Sequence, residues 1–449
     1  MGLPPRSVSD RHVTFCQCNR FARPLSTPVG CATVPPMPTQ AAQVHAIHHP
    51  DPDTPGLTAS ATSAHGAPLA GVRVLDLTRL LPGPMCTLHL ADLGADVIKI
   101  EDTGAGDYAS APVRDMVNRN KRGMRLDLKH PEGVAALLAL CESADVLVEG
   151  FRPGVMERLG VGWDAVHARN PRLVFASISG YGQNGPLRDE PGHDMNYSAL
   201  VGVADQMGSP SGELALSNVP VADLLGGTMT AVMGILAALF DATRTGRGRH
   251  VDVAIADGLL AHAVLPMAAV HREGRPRAAS TDRLTGLLPC YAFYETADGR
   301  FLAVGALERK FWDAFCQCLG REDLQAQHVP ASPEDSLRLR AEVAAILRAR
   351  PLTHWQALFE HAQCCVTPVL RLDEALEHPH FVARGMSVEV YTTDGQVMRQ
   401  LACPVRMSNF EFRVVRPAPR PGQHTDEVLQ EAGWSGQRVA DLRALGVLG

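Results

Sequence analysis

Three short stretches carry side chains able to move protons. "PGHDMNY" (191–197) sets the imidazole of His193 beside the carboxylate of Asp194 in a glycine-led loop. "ADLLGGTMT" puts Asp223 at the start of an apolar helix, and "AVGALERKF" puts Glu308 just after a strand, at the mouth of another helix. An imidazole and carboxylates together are the usual means of general acid and base work. Each also has a structural reading. Neighbours in sequence point apart, so His193 and Asp194 are not expected to bond to each other, and one of them is free to face a substrate. Asp223 and Glu308 stand where helix caps stand.

A second set of residues could grip an anionic, extended ligand. Arg152-Pro153-Gly154 follows a strand, so a rigid turn holds the guanidinium at a strand end. The basic residues of "RNKRGMRLDLK" (119–129), Lys129 among them, and Arg158 in "FRPGVMERLG" also flank strands, where they could grip phosphates, although taken alone they read as solvated surface. The loop "GYGQNGP" has Gly180, Tyr181, Gly182 and Gln183 directly after a strand, where glycines let backbone groups approach a ligand closely. A plain connecting loop is the competing reading.

These segments must be positioned by a scaffold, and the scaffold is legible. Strands "VRVLDL" (72–77), "DVIKI" (96–100), "MRLDL", "ADVLVEG" (144–150) and "RLVFASIS" (172–179) alternate with helices, one of them opened by Pro131. That rhythm predicts an α/β fold: a large lobe with a Rossmann-like, mostly parallel sheet that binds ligands at the carboxyl ends of its strands. Between the first strand and helix stands "LLPGP", with the single Gly83, so a dinucleotide-binding glycine pattern is missing although Glu101 closes the second strand. The run Leu224–Phe240 is read as a buried core helix because Gly226, Gly227, Thr228, Thr230 and Gly234 interrupt it. Asp-Gly turns at Asp298-Gly299 and Asp394-Gly395 predict two hairpins, the first in a smaller α+β lobe. The boundaries expected are 69–257 for the large lobe, 258–285 for a linker, 286–378 for the small lobe, and 379–449 for a segment returning to the large lobe. Residues 1–68, rich in Pro, Ser, Thr and Ala, are expected to be a disordered extension or the product of a start assigned too early, with Met37 as another start.

Composition excludes several classes. The 449 residues carry 42 basic and 48 acidic side chains, a net charge of −6 without long runs of one sign. Neither nucleic acid nor a membrane is expected as a partner. Eleven cysteines, an odd number, fit a reducing cytoplasmic setting, and no spacing suggests a metal site.

Taken in order, "LLPGPMCTLHLADLGADVIKIE", "NKRGMRLDLKHPEG", "ADVLVEGFRPGVMERLG", "NPRLVFASISGYGQNGP" and "ADLLGGTMTAVMGILAAL" resemble the class III CoA-transferase family, which includes the α-methylacyl-CoA racemases. The resemblance runs from about 69 to 411. It implies an enzyme acting on acyl-CoA, with no cofactor beyond the coenzyme A of the substrate, and an interlocked homodimer whose site lies between one chain's large lobe and its partner's small lobe. Similarity to the racemase branch implies proton abstraction α to the thioester by His193 and Asp223, with Glu308 supporting the imidazole. In the transferase branch the nucleophile, an aspartate that forms an acyl anhydride, corresponds to Asp194. A non-catalytic CoA-binding subunit is a third reading. CoA phosphates and adenine are expected near Arg152, Arg158 and Lys129, while Asp102 stands where the racemase branch has a basic residue. The acyl pocket is expected to be walled by Leu80, Met85, Met195 and Leu288, and Asp223 to be largely buried.

Overall fold

The computed structural model describes residues 66–104, 109–209 and 211–449, so the expected N-terminal extension lies outside the described residues apart from residues 66–68. Six parallel strands form the main sheet: β1 (Arg73–Leu77), β2 (Asp96–Glu101), β3 (Arg122–Arg125), β4 (Val146–Glu149), β5 (Val174–Ser179) and β6 (His250–Ala254). Their spatial order is 3-2-1-4-5-6, the order of a doubly wound sheet. The direction of winding reverses between β1 and β4. A crevice opens there at the carboxyl ends of the strands, where such sheets hold ligands.

The strands are nearly continuous apolar runs because both faces are covered. One face packs Leu75, Ile98, Leu147 and Phe175 against helices that include Pro131–Cys141 and the two C-terminal helices Thr425–Glu431 and Gly436–Ala444. The other packs Val74, Val97, Val148 and Ala176 against Pro82–Asp92 and Thr230–Thr245. The chain end thus sits on the large lobe, with the His424 amide donating to the Gly123 carbonyl at 2.7 Å.

The smaller lobe is antiparallel. Strands β7 (Tyr291–Glu295), β8 (Phe301–Gly305) and β9 (Val366–Pro368) cover a core of Trp312, Phe315, Leu339 and Trp355. A separate hairpin, β10 (Ser387–Tyr391) with β11 (Val397–Leu401), turns at Asp394-Gly395. The expected Rossmann-like lobe and smaller lobe are both present.

Two expectations change. The apolar run after Asp223 is one continuous helical stretch, Ala222–Thr245, but only one of its faces is in the core: Met229, Met233 and Phe240 are 49%, 65% and 64% exposed. The basic run 119–122 is neither solvated surface nor a phosphate grip. Arg119 is buried on Asp92 (2.6 Å), Lys121 on Asp76 (3.1 Å), and Arg122 is paired with Asp96, Glu427 and Glu431.

Candidate active site

The glycine loop after β5 is shaped around one ring. A Cβ on Gly180 or on Gly192 would lie 2.6 Å from the ring of Tyr197, so only glycine lets the two ends of the loop close over it. The Tyr197 hydroxyl donates to the Gly192 carbonyl at 2.6 Å, and the ring meets Tyr181 edge to face at 5.3 Å. Asp252, on β6, accepts from the Gln183 amide (3.1 Å), while the Gly182 amide donates to Ser179 Oγ (3.0 Å). The loop is therefore held by three anchors, and it leads straight into the helix Asp194–Leu200.

His193 precedes that helix and is exposed, with its amide donating to Asn196 Oδ1 at 3.1 Å. Asp194, in the first turn, turns the other way. Its Oδ1 accepts from the amides of Ala222 (2.7 Å) and Asp223 (3.1 Å), the first residues of the helical stretch Ala222–Thr245. Those amides lack intrahelical partners, so a carboxylate from elsewhere satisfies them and meets the positive end of the helix dipole. Asp194 thus caps in trans the helix that Asp223 was expected to cap in cis.

Asp223 makes no side-chain capping bond. It sits in the first turn of a π-helix, Ala222–Met229, and is half-buried rather than largely buried. Burial raises its carboxyl to about 6, the adjacent Asp194 charge pushes the same way, and His193 opposes them. Asp223 also helps burial raise the Tyr197 phenol to about 12, which keeps that hydroxyl a donor. His193, Asp194 and Asp223 form one cluster. Glu308 is not part of it within this chain: it is exposed ahead of the helix Arg309–Cys318 in the small lobe and makes no hydrogen bond to the other three.

The ligand-gripping candidates gather at the strand ends. A cavity of about 170 Å³ in the crevice is lined by Arg79, Asp102, Lys129, Phe151 and Val155 among others. Asp102 there accepts from Arg79 at 2.5 Å, and Arg79 lies over the Phe151 ring at 5.4 Å. The acidic departure at Asp102 thus brings its own cation into the crevice. Arg152 and Arg158 are exposed beside it, and the guanidinium of Arg158 comes within 3.2 Å of where a Gly154 Cβ would stand. Of the expected acyl-pocket residues, Leu80 and Met195 are exposed and Met85 is half-buried, whereas Leu288 is packed into the small-lobe core. Leu80 holds a positive φ of 66°, an unusual conformation for a branched side chain.

Sequence reasoning missed two carboxylates, one buried and one exposed. Glu149, last in β4, has its carboxyl raised to about 7 by burial; it accepts from the Phe151 amide at 2.7 Å and so fixes the turn that presents Arg152. Asp252 anchors the glycine loop. Glu149 carried a signal, an acid closing an otherwise apolar strand, whereas Asp252 stands at an exposed position of β6 and carried none. Among the described residues no group of three or more His, Cys, Asp or Glu side chains could hold a metal ion.

A carboxyl raised to about 6 can take up and release protons near neutral pH, and it lies beside an imidazole and a second carboxylate pinned by two amides. Comparison with known proteins shows the family. A model of "CoA-transferase family III" matches residues 69–425. The chain is 35% identical to human α-methylacyl-CoA racemase over 381 residues, 84% of this chain and 96% of the relative. It is 30% identical to the β subunit of succinyl-CoA–L-malate CoA-transferase of Chloroflexus aurantiacus, covering 85% and 98%. The crystal structure of a CAIB/BAIF family protein from Brucella suis superposes with a TM-score of 0.71 at 26% identity, covering 82% of this chain and all of that one.

Proposed function

The chain belongs to the CoA-transferase family III and is an enzyme acting on acyl-CoA thioesters, and within that family we propose that it epimerises 2-methylacyl-CoA by moving the α-proton. The observation that carries this reading is the carboxyl of Asp223, raised to about 6 and clustered with the imidazole of His193. His193 takes the proton from one face of C2, and Asp223, in its protonated form, returns one to the opposite face. In the reverse direction the roles exchange. The thioester enolate between these steps needs fixed donors. This reading assigns that task to the amides of Asp194 and Met195 in the first turn of their helix. Arg152, Arg158 and Lys129 hold the CoA phosphates, and the loop 180–183 guides the pantetheine arm. Glu308 of the partner subunit supports His193 in an interlocked dimer, which accounts for its isolation within a single chain.

CoA transfer is the second reading, and similarity gives it the broader support. The family is described by CoA transfer, and the Chloroflexus transferase subunit covers as much of the chain as the racemase does. It also has a candidate nucleophile, since Asp194 Oδ2 is left outside the bonds that hold Oδ1. In that reaction Asp194 attacks the thioester carbonyl, CoA leaves as thiolate, and an aspartyl anhydride remains. Hydroxylamine separates the two. With acyl-CoA present it traps the anhydride and inactivates a transferase; the racemase reading predicts that activity survives and that the α-proton of a 2-methylacyl-CoA exchanges in D2O. Loss of activity to hydroxylamine, with no exchange, overturns it.

A further inference from the structure

The helix that carries Asp223 is wound with one extra residue per bond, and something must hold it so. A π-helix pairs each carbonyl with the amide five residues on, so Thr228 lies one turn below Asp223 on the same side. Such a turn is poorly stable alone and persists where packing enforces it. Here it is clamped on two sides. On one, Gly226 faces the helix Ile255–Leu260 so closely that a Cβ would fall 2.2 Å from the Ile255 carbonyl. On the other, Gly227 meets Pro82, whose Cβ lies 2.9 Å from the position a Gly227 Cβ would take, and the buried Thr228 donates from Oγ1 to the Pro82 carbonyl at 2.8 Å.

Pro82 is itself fixed from beneath. The fully buried Lys121 donates to the Pro84 carbonyl (2.9 Å) and to Thr87 Oγ1 (2.7 Å), and the equally buried Lys99 donates to the Thr78 carbonyl. Asp76 sits between the two lysines and accepts from Thr78 and Thr87. The "LLPGP" turn is thereby tied to the sheet by charged groups.

We infer that Thr228, bonded to Pro82, is a positioning residue that sets where the Asp223 carboxylate stands relative to Asp194 and His193. The inference rests on the proton-transfer reading for its effect on rate, but not for its effect on the carboxylate itself. The titratable groups facing Asp223 are Asp194, His193 and Tyr197, all from the Asp194–Leu200 helix or the residue before it. Loss of the bond lets the π turn relax and moves Asp223 away from them toward water.

The test is the titration of the Asp223 carboxyl by 13C NMR, assigned with Asp223→Asn, in the wild type, Thr228→Val and Thr228→Ser. The valine keeps the shape and removes the donor; the serine keeps the donor. The Asp223 midpoint is expected to fall toward the ordinary carboxylate range in Thr228→Val and to return in Thr228→Ser. α-Proton exchange in Thr228→Val should drop by roughly 10- to 100-fold with KM unchanged, as for a misplaced catalytic group. If Thr228→Val does not fold, Thr228→Ala is read in the same way. An unmoved Asp223 midpoint overturns the inference. Should the wild type fail to exchange protons, the proposed reaction falls, while the titration still decides whether Thr228 positions Asp223.

Discussion

Two carboxylates of the large lobe, Asp76 and Asp223, show that depth of burial does not fix what a buried acid becomes. Asp76 is fully buried, yet Lys99, Lys121 and the hydroxyls of Thr78 and Thr87 outweigh the cost of desolvation and hold it at about 2. Asp223 is only half-buried, but burial and the charge of a second carboxylate, Asp194, outweigh His193, and it rises to about 6. The first is locked in one state and organises structure. The second can change state near neutral pH. What separates a structural acid from a chemical one here is the sign of its neighbour.

The largest expected effect comes from breaking the locked side. Lys121→Met leaves Asp76 facing only the more distant Lys99, at 4.0 Å. Removing one partner of a buried pair costs about 3–5 kcal/mol, so urea unfolding should show a loss of that order; a change within about 1 kcal/mol would mean that the cluster is not a lock.

Asp223→Asn tests the other side. Exchange should fall on the order of 10²–10⁴-fold, as for loss of a general acid or base, without loss of stability. The folded-state value of Asp223 lies above its ordinary 3.8, so its contribution to stability is present below that value and is lost as pH rises through about 6. The asparagine variant should therefore be at least as stable as the wild type at pH 8. The raised carboxyl places one limb of the pH profile of exchange near pH 6, and because the two directions of an epimerisation share one equilibrium constant, kcat/KM follows the same profile for both epimers. A limb near pH 6 that survives in Asp223→Asn would remove Asp223 from the reaction.

Glu149 is buried like Asp76 but lacks a cation, and it rises like Asp223, to about 7. Glu149→Gln keeps an oxygen for the Phe151 amide. By the same sign, it should add about 3 kcal/mol at pH 9 and nothing at pH 4, measured by chemical denaturation. A loss at pH 9 would show that burial does not govern this group.

Much of this arrangement could be read along the chain. The parallel strands appear as apolar runs, the hairpins as Asp-Gly turns, and His193, Asp194 and Asp223 as ionisable groups at loop and helix starts. What could not be read depends on contacts distant in sequence. Nothing local tells that Asp194 caps the helix of Asp223, because the bond spans 28 residues. The π turn leaves no periodic mark in a stretch containing two adjacent glycines. The run 119–122 looked like solvated charge because its acidic partners, Asp76, Asp92 and Asp96, lie on other elements. Glu308 is the converse case. The family resemblance groups it with the site, and the single chain keeps it apart.

The central claim is that Asp223 and His193 pass a proton across C2 of an acyl-CoA. It is tested most directly by giving the purified enzyme one epimer of a 2-methylacyl-CoA in D2O and following chirality and deuterium together. The account predicts that each inversion of C2 brings in one solvent deuterium, in the absence of any acceptor acid. Retention of both configuration and proton, with CoA moved only when a carboxylic acid is added, would contradict it.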